Sequence, residues 1–168
     1  SIRVSAPSVG NSASALIAAA YAKVDGEIYA SGRTGGLIEV NASREAVVNG
    51  EIEAAGSDGI GGSVVVEAET VTVGASASID VSGTQGGGSV KIGGGFQGQD
   101  ESVVNATSTV VEAGSEIVAD ATSTGNGGTV IVWADENALF EGKISARGIA
   151  SGGFVEVSGK DVLGFHGE

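Results

Sequence analysis

Five glycine pairs punctuate the chain, ending at Gly36, Gly62, Gly88, Gly128 and Gly153, at intervals of 26, 26, 40 and 25 residues. The residues after each pair are nearly the same. The second position holds Ile38, Val64, Val90, Val130 and Val155, and the fourth holds Val40, Val66, Ile92, Val132 and Val157. All of these are apolar and β-branched, whereas the position between them is mixed: Glu39, Val65, Lys91, Ile131 and Glu156. Alternation of period two is the pattern of a strand with one face in a core and one outside. The sixth position accepts only small residues, namely Ala42, Ala68, Gly94, Ala134 and Gly159, as at a crowded corner.

A second column precedes the pairs: Ile28, Ile52, Ile79, Ile117 and Ile144, followed two residues later by Ala30, Ala54, Val81, Ala119 and Ala146. Between them, Tyr29, Glu53, Asp80, Val118 and Ser145 should face outward. A weaker third strand is read at 47–48, 71–73, 110–111, 139–140 and 162–163, four of the five leading into a glycine. Strands this short cannot close a core within one repeat. They can do so by stacking on their equivalents in the next repeat. The expectation is an all-β chain: a parallel β-helix of three short strands per coil and about five to seven coils. Its right hand is expected from the chirality of parallel crossovers. One domain is read over 1–168, with an irregular first coil at 1–23, regular coils at 24–92, an insertion at 93–109 and regular coils at 110–168. The insertion absorbs the one long interval. Glycine pairs are expected to supply positive φ and close backbone approach at the bends.

Composition narrows the function. Net charge is −13, so phosphate backbones and anionic membrane surfaces are repelled, and neither nucleic-acid binding nor membrane insertion is expected. Hydrophobic residues make up 41%, too many for a disordered polyanion. No apolar run approaches the ~20 residues of a membrane-spanning helix. There is no cysteine, which excludes disulfides and thiolate metal sites. The absence of an initiator methionine gives the chain the look of a piece of something longer.

The run GGTVIVWADENALFEGKISARG at 127–148, followed by GGFVEVSGKDVLGFHG at 152–167, resembles the filamentous haemagglutinin-like exoproteins of two-partner secretion, the high-molecular-weight adhesins among them. GSVVVEAETVTVGASASIDVSG and GGGSVKIGGGFQGQD look like further coils of that family, so the resemblance spans roughly 24–167. It implies a secreted protein of Gram-negative bacteria, displayed at the cell surface, exported unfolded through an outer-membrane partner barrel and folded outside as a right-handed β-helix. It also implies a receptor on a host cell or other surface, protein or glycan. The family's secretion domain carries NPN-type motifs, and this chain has none. The expectation is therefore a shaft segment, with the transporter engaged through a secretion domain not present here.

Chemistry is sparse. Glu53 over Asp80 is the one candidate carboxylate pair, and it lacks an accompanying cluster of Arg, Lys and His; a solvated strand face is the expected reading. His166 is the only histidine, near the chain end, so a serine triad is excluded and no catalytic residue is assigned. A calcium-binding solenoid repeat would need Asp after each glycine pair, where Leu37, Ser63, Ser89, Thr129 and Phe154 stand, so no metal site and no cofactor are expected. Trp133, nominally outward, is a possible partner contact, against the structural reading that it covers the neighbouring coil or is covered by the 93–109 insertion. Asn41-Ala-Ser and Asn105-Ala-Thr match glycosylation sequons, and the resemblance brings with it relatives modified at such sites. The reading is a non-catalytic structural and adhesive shaft. The alternatives are a carbohydrate-active β-helix enzyme and a glycan-binding module using Trp133.

Overall fold

The computed structural model describes residues 4–5 and 13–168. In it the repeat becomes three walls of parallel strands, wound as a β-solenoid of about 6 turns. The first wall stacks β1 (Val4–Ser5), β3 (Glu27–Tyr29), β5 (Glu51–Glu53), β8 (Ser78–Asp80), β11 (Glu116–Val118) and β14 (Lys143–Ser145), in that order. The second stacks the leading halves of β2 (Ser14–Val24) and β4 (Leu37–Val48) on β6 (Ser63–Glu67), β9 (Ser89–Ile92), β12 (Thr129–Ala134) and β15 (Phe154–Gly159). The third stacks the trailing halves of β2 and β4 on β7 (Thr70–Val73), β10 (Ser108–Val111), β13 (Asn137–Phe140) and β16 (Val162–Phe165). In the first two of these coils the strand runs unbroken round the corner between the second and third walls; from β6 onward it divides.

The columns read from the sequence are ladders of Cα partners. Ile38, Val64, Val90, Val130 and Val155 pair in succession, as do Val40, Val66, Ile92, Val132 and Val157. Ala15 and Ile17 extend both columns by one coil. Ile28, Ile52, Ile79, Ile117 and Ile144 form the ladder of the first wall. The irregularity expected at 1–23 reduces, within the described residues, to one break of register between Ala19 and Tyr21 in an otherwise paired β2. Eight of the ten β-branched residues after the glycine pairs are fully buried. Val155, at 45% exposure, and the half-buried Val157 lie on the last coil, which has no neighbour on one side.

Four details depart from the sequence reading. First, none of the ten paired glycines has positive φ. Nine of the ten are required for proximity: a Cβ on Gly35, for example, would overlap the carbonyl of Ala54 and the amide of Gly62, and one on Gly88 would overlap the carbonyl of Gly62. Second, the third-wall segment at 162–163 sits two residues out of the column read for it, because Leu163 pairs with Ala138 and Phe165 with Phe140. The constant spacing of the last two coils sets this register, whereas the sequence reading followed the apolar pair. Third, Ser145 is buried, covered by the Asp120 carboxylate and the Arg147 side chain that bond its hydroxyl. Fourth, Ile131 is outward and still only 3% exposed; its Cα partners Lys91 and Glu156 both bond the insertion, which crosses the wall at this point.

Candidate functional site

Two places on the outer surface gather polar chemistry. One is the edge of the first wall. Glu53 and Asp80 are Cα partners on adjacent coils, as the sequence columns require. Each carboxylate is engaged locally. Glu53 Oε1 accepts from the Ser31 hydroxyl, which itself accepts from the Ala55 amide at 2.9 Å. Asp80 Oδ1 accepts from the Ser82 amide at 2.7 Å, and Asp120 Oδ1 from the Arg147 amide at 2.6 Å. The same task therefore recurs coil after coil: a side-chain oxygen satisfies an amide where the wall turns. Partial burial, followed by the neighbouring carboxylates of Glu51, Glu27 and Glu53, raises the Tyr29 phenol above its ordinary value. The shallow groove beside this edge, about 380 Å³, has stacked Gly32, Gly56 and Gly83 in its lining, and Glu53 is its one carboxylate.

His166 is exposed on the last coil, its amide bonded to the Phe140 carbonyl at 2.8 Å. Among the described residues no group of three or more His, Cys, Asp or Glu is placed to hold a metal ion. No helix among them is long and apolar enough to cross a membrane.

The other place is the insertion. It leaves the coil at Gly93, with φ +71°, and the Ala106 amide bonds the Gly93 carbonyl at 2.8 Å, so the excursion closes where it began. β10 begins at Ser108, already in register with β7, so the coil resumes as though nothing had been inserted. The excursion folds back over the outer face of the second wall. It contains one 3-10 turn at Phe96–Gly98, and Phe96 meets Phe154 edge to face at 5.7 Å. Trp133 lies beneath it, 9% exposed, with its indole Nε1 donating to Asp135 Oδ1 at 2.9 Å. The Gly94 and Gly98 backbones lie against the ring; a Cβ on either would overlap it, and Gly98 has φ +64° besides. The one residue singled out for partner contact is thus placed as a packing anchor under the insertion.

The sequons are likewise built into the wall. Asn105 Nδ2 donates to the Gly98 carbonyl at 2.9 Å and to Asp135 Oδ1 at 3.1 Å, which occupies both its hydrogens. The Asn41 side-chain oxygen is buried without a hydrogen-bond partner. Sequence reasoning missed the anchors Glu67, Asp100, Asp135 and Glu156. Their only signal was that acidic residues flank a Gly- and Gln-rich excursion.

No protein-family model and no curated protein sequence matches the chain. Among solved structures, the crystal structure of the HMW1 secretion domain from Haemophilus influenzae is similar, with TM-score 0.84 and 32% identity over 92% of this chain. The chain spans 43% of that one, less than half its length. The likeness to a two-partner secretion adhesin read from the C-terminal coils thus reappears in three dimensions.

Proposed function

We propose, with the shared coil of a bacterial secretion domain as premise, that this chain is a non-catalytic β-solenoid segment of a secreted adhesin-type exoprotein. In this reading it is a stiff shaft that holds binding elements away from the cell surface. The observation that carries it is the in-register stack: Glu53, Asp80 and Asp120 along the first wall bond groups of their own or the adjacent coil, and the apolar side chains fill the prism. Stacked parallel ladders resist bending because every coil is bonded to the next along three walls. An outer-membrane transporter is the export partner, and a protein or glycan on a host or other surface is the receptor.

The similarity to a secretion domain favours a second reading, in which these coils are part of such a domain and engage the transporter themselves. Export separates the two. Co-expressed with its partner barrel in a Gram-negative host, a shaft segment reaches the medium only when fused behind a cognate secretion domain. Export of the segment alone would sink the shaft reading and support the second. The enzymatic alternative predicts turnover of acidic polysaccharides that falls with Glu53→Gln or Asp80→Asn. The shaft reading expects no turnover in either the parent or the variants.

A further inference from the structure

The insertion is tied to the wall in an unusual way. Among the described residues, every side-chain hydrogen bond between residues 94–105 and the wall involves a carboxylate. Val104 N donates to Glu67 Oε2 at 2.8 Å, and Gln97 N donates to both oxygens of Glu156 at 3.2 Å. Lys91 Nζ, from β9, pairs with Asp100, and Asn105 Nδ2 donates to Asp135 Oδ1. The anchors lie on β6, just after β12, on β15 and on the insertion itself, whose Asp100 is held from β9, so the ties span four coils. Glu101 on the insertion, Glu69 and Glu136 beside its exit, Glu39 along the wall, and Lys160 and Asp161 on the last coil are other charged groups nearby; Glu69 pairs with Arg44 at 3.6 Å, and its carbonyl accepts from Thr107 N at 2.8 Å. Among the described residues Lys91 is the cation that pairs with an anchor carboxylate. By contrast, the second wall beneath is held by backbone ladders and packed with valines and isoleucines, which do not titrate; the carboxylates that bond coil to coil, such as Glu53, Asp120 and Glu116, lie on the first wall.

We propose that residues 94–105 are an acid-released strap, which detaches from the second wall as its carboxylate anchors take up protons while the coils stay stacked, and so uncovers an apolar patch made by Ile131 and Trp133. A protonated carboxyl is a much weaker acceptor than a carboxylate and cannot pair with an ammonium. The Lys91 ammonium, followed by the Ser102 hydroxyl and amide, holds the Asp100 carboxyl well below its ordinary range. A lowered native pKa gives stability that is present above the unfolded value and is lost as pH falls through the native one. The Asp100 contribution is thus lost on the acid side.

Trp133 is the only tryptophan, so its accessibility reads the strap directly. Acrylamide quenching of Trp133 is followed from neutral pH to about pH 2, with far-UV circular dichroism recorded alongside. The strap predicts that the quenching constant rises several-fold while the β signal persists. It also predicts that the Glu67→Gln/Glu156→Gln variant is released closer to neutral pH than the parent. Gly98→Val forces a side chain into the indole and should give the open quenching constant at neutral pH with the β signal intact. The proposal is overturned if quenching stays low throughout the titration or rises only as the β signal collapses, or if a folded Gly98→Val leaves Trp133 protected. None of these outcomes touches the export assay, so shaft and strap stand or fall separately.

Discussion

Val132 is fully buried on β12 between its Cα partners Ile92 and Val157. Val132→Asp would place a charge where no partner exists, and should cost at least ~3 kcal/mol in denaturant unfolding. Unchanged stability would mean that the column does not face inward. The glycine pairs provide a comparison at the same motif position. A Cβ on Gly127 would overlap the carbonyl of Ala146 and the amide of Gly153, whereas one on Gly152 meets nothing within 4 Å. Gly127→Ala should therefore destabilise by about 1–3 kcal/mol, as overpacking does, and Gly152→Ala should be near neutral. The sequence marked these glycines as essential but assigned the wrong reason in part. Their need is for closeness to the next coil, which depends on a neighbour some 26 residues away and leaves no local trace. Trp133 is a milder case, since cover by the insertion is among the readings its sequence position allows. Alternation correctly puts it outside, and only the folded insertion turns outside into buried.

Among the elements, the strands were legible and the strap was not. Each wall strand carries its own signal in the alternation of buried and half-buried residues, as in the SVVVE of β6. Register was legible where glycine pairs anchor it, on the second wall. It was misread at β16, where the match was made on apolar type, although Gly164 takes the outward place opposite Leu139. The strap has no periodicity because its bonds run from backbone amides to distant carboxylates. Asp100→Asn removes the Lys91 ion pair, and the prediction is a strap released nearer neutral pH with the coils unaffected, measured by the same quenching titration. Replacing 94–105 with a short glycine linker should leave the β signal per residue unchanged, because Gly93 and Ala106 already meet. It should expose Ile131 and Trp133, seen as stronger binding of a hydrophobic dye. Loss of fold in that deletion would make the excursion part of the coil and not a cover upon it.

For the whole molecule, stacking makes stability nearly additive over coils. Removing 63–88 joins Gly62 to Ser89, which then takes the place of its Cα partner Ser63. The shortened chain should fold, with the same β signal per residue and roughly one coil's share less stability. Cooperative loss of all structure would contradict a solenoid. The net charge of −13 opposes end-to-end association through the apolar last coil, where Val155, Leu163 and Phe165 are about half exposed. Sedimentation should therefore show a monomer at low salt and growing self-association as salt screens that repulsion. The central claim is that residues far apart in sequence, including pairs on either side of the insertion, lie directly on one another inside the prism. Methyl–methyl nuclear Overhauser effects on a valine- and isoleucine-labelled sample test it most directly. The account predicts cross-peaks linking Val64 to Val90, Val90 to Val130, and Ile52 to Ile79 to Ile117. Their absence, or their replacement by contacts between strands adjacent in sequence as in hairpins, would contradict it.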